Sequence, residues 1–122
     1  VKKLLIAAAA ALILAPSLAS AADMSGTWKV NAAFGEAMTF SLTCTLKDDG
    51  AGKLSGPCTD PQGGANAAAT GTVTATTMEW GYDTTYQGSP IHLDYKGDVQ
   101  ADGSLKGTID AGGPQGTFTA TK

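Results

Sequence analysis

Hydrophobic and polar residues alternate most clearly in Met38, Phe40, Leu42, Cys44 and Leu46, which are interleaved with Thr39, Ser41, Thr43, Thr45 and Lys47. A period of two places one set of side chains on a dry face and the other in water, as in a half-buried strand. Similar short stretches, rich in Thr, Val and aromatic residues and divided by glycine, run from Gly26 to the end, and no helical period persists for three turns. Strands are predicted over 26–31, 38–47, 53–58, 70–75, 78–82, 91–99, 104–109 and 117–121. Their inward positions are Trp28, Val30, Leu54, Cys58, Val73, Ala75, Met78, Trp80, Tyr82, Ile91, Leu93, Tyr95, Val99, Leu105, Ile109, Phe118 and Ala120, together with the apolar set of the second strand.

The connections decide the topology. Asp49-Gly50 and Asp102-Gly103 are hairpin signals, and no segment resembles a helical crossover, so the strands follow one another as an antiparallel meander. Eight such strands remove their exposed edges by closing, and an all-β, eight-stranded up-and-down barrel is expected, with an open sandwich as the alternative. A turn near Gly50 puts Cys44 and Cys58 on one inner face, opposite each other or offset by one pair. A disulfide is expected there, with two buried thiols as the alternative.

Residues 1–22 read as an export signal: Lys2 and Lys3, an apolar run over 4–14, then small residues. Two cleavage frames fit, giving Ala22 or Asp23 as the new N-terminus, and Asp23 is preferred. The apolar run is well short of the roughly twenty residues that a spanning helix needs. The expected product is a single domain over 23–122, periplasmic or extracellular, monomeric and without a membrane anchor. An oxidising compartment agrees with the cysteine pair. This domain has six lysines, no arginine and eleven carboxylates, a net charge of −5. Nucleic acid, whose phosphates need basic clusters, is excluded as a partner.

Catalytic and metal chemistry find little support. His92, the only histidine, alternates with inward Ile91 and Leu93 and therefore points to solvent. Cys44, Cys58 and His92 are too few and too far apart for structural zinc. The acidic turns lack the dense ligand spacing of a calcium loop. No cofactor, metal or enzymatic activity is expected.

The predicted connections differ in length. Those over 32–37, 59–69, 83–90 and 110–116 share one end and are the longer; those around Gly50, Thr76 and Asp102 are tight. Binding favours loops on a rigid scaffold and the mouths of barrels. At the loop-rich end the candidates are Phe34, Met38, Tyr82, Tyr86 and Ile91, with Asp60, Gln62, Asp83, Gln87 and Gln115 as a polar rim. They suit a small apolar or amphiphilic ligand, or a protein surface. In the alternative, Phe34 and Tyr86 fold down as a plug over a filled core.

Gly26-Thr27-Trp28 at the start of the first strand resembles the calycin-like barrels, the group of lipocalins and avidins. The resemblance implies that Trp28 plugs the closed end beneath a basic residue from a late strand. Lipocalins use arginine there, and here Lys106 or Lys122 takes that place. Only Trp28 and Trp80 are present against the several tryptophans of an avidin site. The spread of Leu54-Ser55-Gly56, Tyr95-Lys96-Gly97-Asp98-Val99, Leu105-Lys106-Gly107-Thr108 and Gly116-Thr117-Phe118-Thr119-Ala120 is also similar to a small barrel module of exported bacterial proteins. A weaker similarity, to periplasmic metalloprotease inhibitors, implies an inhibitory N-terminal arm; here only Asp23, Met24 and Ser25 precede Gly26.

Overall fold

The computed structural model describes residues 24–60 and 66–122. The segment expected to be an export signal, Asp23 and Gln62 lie outside the described residues. Among the described residues there is no helix, and eight strands close into one antiparallel barrel in sequence order. They are β1 (Gly26–Phe34), β2 (Met38–Asp48), β3 (Lys53–Thr59), β4 (Asn66–Val73), β5 (Thr77–Tyr86), β6 (Ser89–Val99), β7 (Leu105–Asp110) and β8 (Gln115–Thr121). The barrel closes where Lys29, Val30, Asn31, Ala32 and Ala33 of β1 pair with Thr121, Ala120, Thr119, Phe118 and Thr117 of β8. The strand number, order and sense agree with what the calycin resemblance implies.

Alternation does what the sequence pattern predicts. Trp28, Val30, Leu42, Cys44, Leu46, Leu54, Cys58, Met78, Trp80, Tyr82, Leu93, Tyr95, Leu105, Ile109, Phe118 and Ala120 are all buried. The middle of the barrel is an aromatic stack. The Trp80 and Tyr95 rings lie parallel with centroids 4.8 Å apart, and Phe118 stands edge-on to both at 5.4 and 5.3 Å. Such pairs each add about 0.5–1.5 kcal/mol beyond the burial of their area. Space for these rings comes from small residues. The inner face of β4 carries Ala67, Ala69 and Gly71, and a Cβ on Gly97 of β6 would lie 2.9 Å from the Phe118 ring.

The structure moves several boundaries. β4 begins at Asn66 rather than 70, which brings in Ala69 as a buried residue, and it ends at Val73, leaving Ala75 exposed in the turn. β1 runs on to Phe34 and buries Ala32. The largest correction concerns β5 and β6, which extend through the predicted 83–90 loop and leave only residues 87–88 as a turn. Gln87 and Gly88 both have positive φ, 53° and 83°, the two-residue hairpin geometry whose twist matches that of the strands. The expected contrast in connection length therefore disappears: 35–37, 60–65, 87–88 and 111–114 lie at one end, and 49–52, 74–76 and 100–104 at the other. Aspartates build several of these turns. Asp49 Oδ1 accepts from the amides of Ala51 and Lys53, and Asp102 Oδ1 from the amide and hydroxyl of Ser104.

Cys44 and Cys58 stand directly opposite on β2 and β3 and form a disulfide across a sequence separation of 14. It ties two strands whose ladder is interrupted between Cys44 and Lys47, where Pro57 has no amide to donate. Closing a loop of this size contributes about 3 kcal/mol on the chain-entropy account. Replacing both cysteines by alanine is expected to lower stability by about that amount and Tm by roughly 12–24 °C. Thermal unfolding monitored by circular dichroism, with and without reductant, checks this; an unchanged midpoint would show that the bond adds nothing.

Candidate functional site

The two ends of the barrel differ in how they are finished. At the end holding the start of β1 and the end of β8, Trp28 is 0% exposed. Its Nε1–H donates to the carbonyl of Met24 at 3.0 Å, and Met24 is itself buried. Lys122 lies across the outside, its Nζ 5.4 Å from the centre of the Trp28 ring. The close fit depends on Gly26, whose φ of 144° suits glycine and whose missing Cβ would sit 3.1 Å from the Lys122 stem. Of the two lysines that the calycin resemblance offers as partners of Trp28, Lys122 takes the place.

The opposite end carries the ligand candidates, and it is not sealed in this way. Phe34 and Met38 face each other across the β1–β2 hairpin, and Phe40 stacks on Phe34 with ring centroids 6.4 Å apart. Phe34, Met38, Phe40 and Ile91 are each only partly buried, as are Ala67 and Ala111 near them on the same rim. Tyr86, 47% exposed, is the large hydrophobic residue that the described surface displays most openly. Tyr86 was expected in a polar loop; it lies at the tip of β5, on the same side of that strand as Trp80, Tyr82 and Thr84.

This end is shaped by the tip of the β5–β6 hairpin. β5 pairs with β4 only as far as Gly81, and β6 pairs with β7 only from Asp94. Between these points the register Tyr82↔Leu93 to Tyr86↔Ser89 joins β5 and β6 to each other alone among the described residues. Among the described residues β2 pairs with β3 from Thr43 onward, and β1 pairs with β8 as far as Ala33. Four strands apart in a ring of eight, the β1–β2 and β5–β6 hairpins stand on opposite sides of the mouth. Phe34 and Met38 belong to one, and Tyr82, Tyr86 and Ile91 to the other.

Below the rim, the Tyr82 and Tyr95 hydroxyls meet at 2.7 Å. Burial pushes the Tyr82 phenol up to about 12, with the Asp60 carboxylate adding to the rise against the lowering effect of the bond from Tyr95. Burial also pushes the Tyr95 phenol well up. Both remain neutral hydroxyls at ordinary pH. The nearby indole Nε1–H of Trp80 has no hydrogen-bond partner within the described residues, although Trp80 is only 2% exposed.

His92 lies outside the barrel, as its parity predicts. Its Nδ1 is 2.7 Å from Asp83 Oδ1 and its Nε2 is 3.1 Å from Asp94 Oδ1. Gly81 leaves room for this arrangement, since a Cβ there would lie 2.5 Å from Asp94 Oδ1. The side chain of His92 is 52% exposed. Among the described residues, no group of three His, Cys, Asp or Glu residues is arranged to hold a metal ion. Two half-open grooves of about 610 and 620 Å³ follow the outer wall. Outward threonines contribute to both, Thr39 and Thr117 to one and Thr72 and Thr108 to the other. Phe40 and Asp60 line the first, while Phe34, Met38, Tyr82, Tyr86 and Ile91 line neither; the partly exposed apolar residues gathered at the mouth make it the candidate site.

Of the remaining rim residues, Asp110 Oδ1 accepts from the amides of Gly112 and Gly113, and its Oδ2 accepts from Gln115 Nε2, which fixes the β7–β8 turn. Gln87 Nε2 reaches the Tyr86 hydroxyl at 3.4 Å. Phe40 was read only as an inward residue, yet it joins Phe34 at the rim; its parity with Met38 marked the face but not how near the open end it would fall. No protein-family model, curated protein or solved structure matches the chain.

The carboxylates hydrogen-bonded to His92, Asp83 foremost, raise its pKa above the ordinary imidazole value. The pair therefore favours the folded state fully below pH ~6.5 and loses that contribution as pH rises through the higher folded value. Solvent screening keeps the effect small. An NMR titration of the His92 ring is expected to give a midpoint above 6.5 that falls when Asp83 is replaced by Asn; a midpoint indifferent to that change would contradict the pairing.

Proposed function

We propose that this chain is an exported, non-catalytic, calycin-like binding module that takes the apolar part of a small ligand at the mouth between its β1–β2 and β5–β6 hairpins. The observation that carries this reading is the contrast between the ends. One is plugged by a fully buried tryptophan under a lysine; the other leaves Phe34, Met38, Phe40, Tyr86 and Ile91 partly in water. A chain that packs Trp28 so completely has the means to bury aromatic side chains, and partly exposed apolar residues gathered on one rim mark a binding surface. Lys122 over Trp28 supports the calycin resemblance, and the disulfide supports an oxidising compartment.

A ligand is held here by burial of rim area rather than by a charged anchor. At about 25 cal/mol per Å², covering an aromatic side chain contributes on the order of 2 kcal/mol. Tyr86 is exposed at the tip of the β5–β6 hairpin, so its loss affects binding more than stability.

Tyr86→Ala together with Phe34→Ala is expected to abolish retention of a co-purifying small molecule while the thermal midpoint shifts by only a few degrees. Native mass spectrometry of protein from its own source, beside the double variant, checks both. Retention that is equal in the two proteins removes the reading.

A further inference from the structure

The charges on the outer wall of the barrel are not spread evenly. Exposed outward positions of β8, β1 and β2 hold threonine, serine, asparagine and glutamine with two lysines, Lys29 and Lys47, and no carboxylate. Those of β5 and β6 include Glu79, Asp83, Asp94 and Asp98 against Lys96 and His92. In the ring of eight, β1 and β2 lie four strands from β5 and β6, so the two walls face away from each other. Asp83 and Asp94 share the His92 imidazole. Among the described residues, Glu79 and Asp98 have no cation within ion-pair distance, and Lys29 and Lys47 have no carboxylate.

The lysine-bearing wall is also inexpensive to cover. Apart from the two lysines its side chains are mostly short, and Ser41 Oγ donates to Asn31 Oδ1 at 2.6 Å, which fixes both. Short side chains lose little rotamer freedom when a partner covers them. The wall runs unbroken across the seam of the barrel, with Lys29 between Thr43 and Thr121 and Asn31 between Ser41 and Thr119.

We infer that copies of this chain associate by setting the β8–β1–β2 wall of one against the β5–β6 wall of the next, Lys29 and Lys47 toward carboxylates. The two faces differ and lie on opposite sides of the barrel, so the contact is heterologous and repeats into an open chain rather than closing a dimer. Three strands about 4.8 Å apart and about 20 Å long offer roughly 300 Å² of flat wall, well under the ~800 Å² per partner of a stable complex. The association is therefore weak, and the dilute chain is monomeric. The negative net charge of the domain opposes it only at long range. At ~0.1 M salt the Debye length is about 10 Å, so distant like charges are screened while charges meeting across the contact are not. Both walls lie on the side of the barrel, and the contact does not depend on what the mouth holds.

Amide NMR spectra of the protein from about 0.05 to about 2 mM at ~0.1 M salt test the contact. Concentration-dependent shifts are expected on both walls, within 27–31, 39–47 and 117–121 on one and 77–83 and 92–98 on the other. The apparent affinity should fall at least about tenfold at ~1 M salt, where the Debye length is about 3 Å. No shifts, shifts on one wall alone, or shifts indifferent to salt would overturn the inference. Charge reversal identifies the pairing. Lys29→Glu with Lys47→Glu makes both walls acidic, and Glu79→Lys with Asp98→Lys makes both basic, so neither variant should associate alone. Mixed in equal amounts they should associate as the parent does, seen as slowed rotational diffusion; a mixture that tumbles as monomers contradicts the contact. All four positions are exposed, and thermal midpoints within a few degrees of the parent show that each variant is folded.

Discussion

Closure of the sheet is the constraint on which the rest depends. Once β1 pairs with β8, every second side chain of eight strands is committed to one interior whose volume the backbone has already set. The large rings of β5, β6 and β8 share it, and Gly97 yields its Cβ space to Phe118. Protein interiors pack at near-crystalline density, so a bulky residue in one strand requires a small one in another. The disulfide and the aspartate-built turns stabilise this arrangement without choosing it.

The same closure creates two unlike ends. Where the termini of the barrel meet, Trp28, Met24, Gly26 and Lys122 fit over one another and exclude water. At the other end the β5–β6 hairpin outruns its described neighbours, and its tip pairs only with itself among the described residues. Segments with few neighbours are the ones that move at least cost. A rigid floor of stacked rings below an adjustable rim suits the recognition of a small molecule.

The alternation in β2 was legible because Met38 to Leu46 places an apolar residue at every second position, and the pairing of Cys44 with Cys58 followed from that parity and one turn. β4 was misplaced because Asn66, Ala67, Ala68 and Ala69 have little strand propensity of their own; they are strand because β3 pairs with them. The Tyr86 hairpin was hidden for a different reason. Gln87-Gly88 lacks the Asn-Gly or Asp-Gly signature, and Thr84 and Thr85 read as polar loop when seen without their β6 partners. The five apolar site candidates were visible as residues, while the pairing limits at Gly81 and Asp94 that make the hairpin of Tyr82, Tyr86 and Ile91 project are long-range facts that local sequence does not encode. The buried Tyr82–Tyr95 contact and the unpaired Trp80 indole are of the same kind.

Closure itself is open to direct measurement by amide hydrogen exchange. The account requires the amides that join β1 to β8, within residues 29–33 and 117–121, to be as protected as those of the central β6–β7 ladder, with the outer part of the β5–β6 hairpin exchanging fastest of the ladders. Rapid exchange along the β1–β8 seam, beside a protected β6–β7 ladder, would mean an open sheet and would contradict the structure on which both the sealed end and the mouth rest.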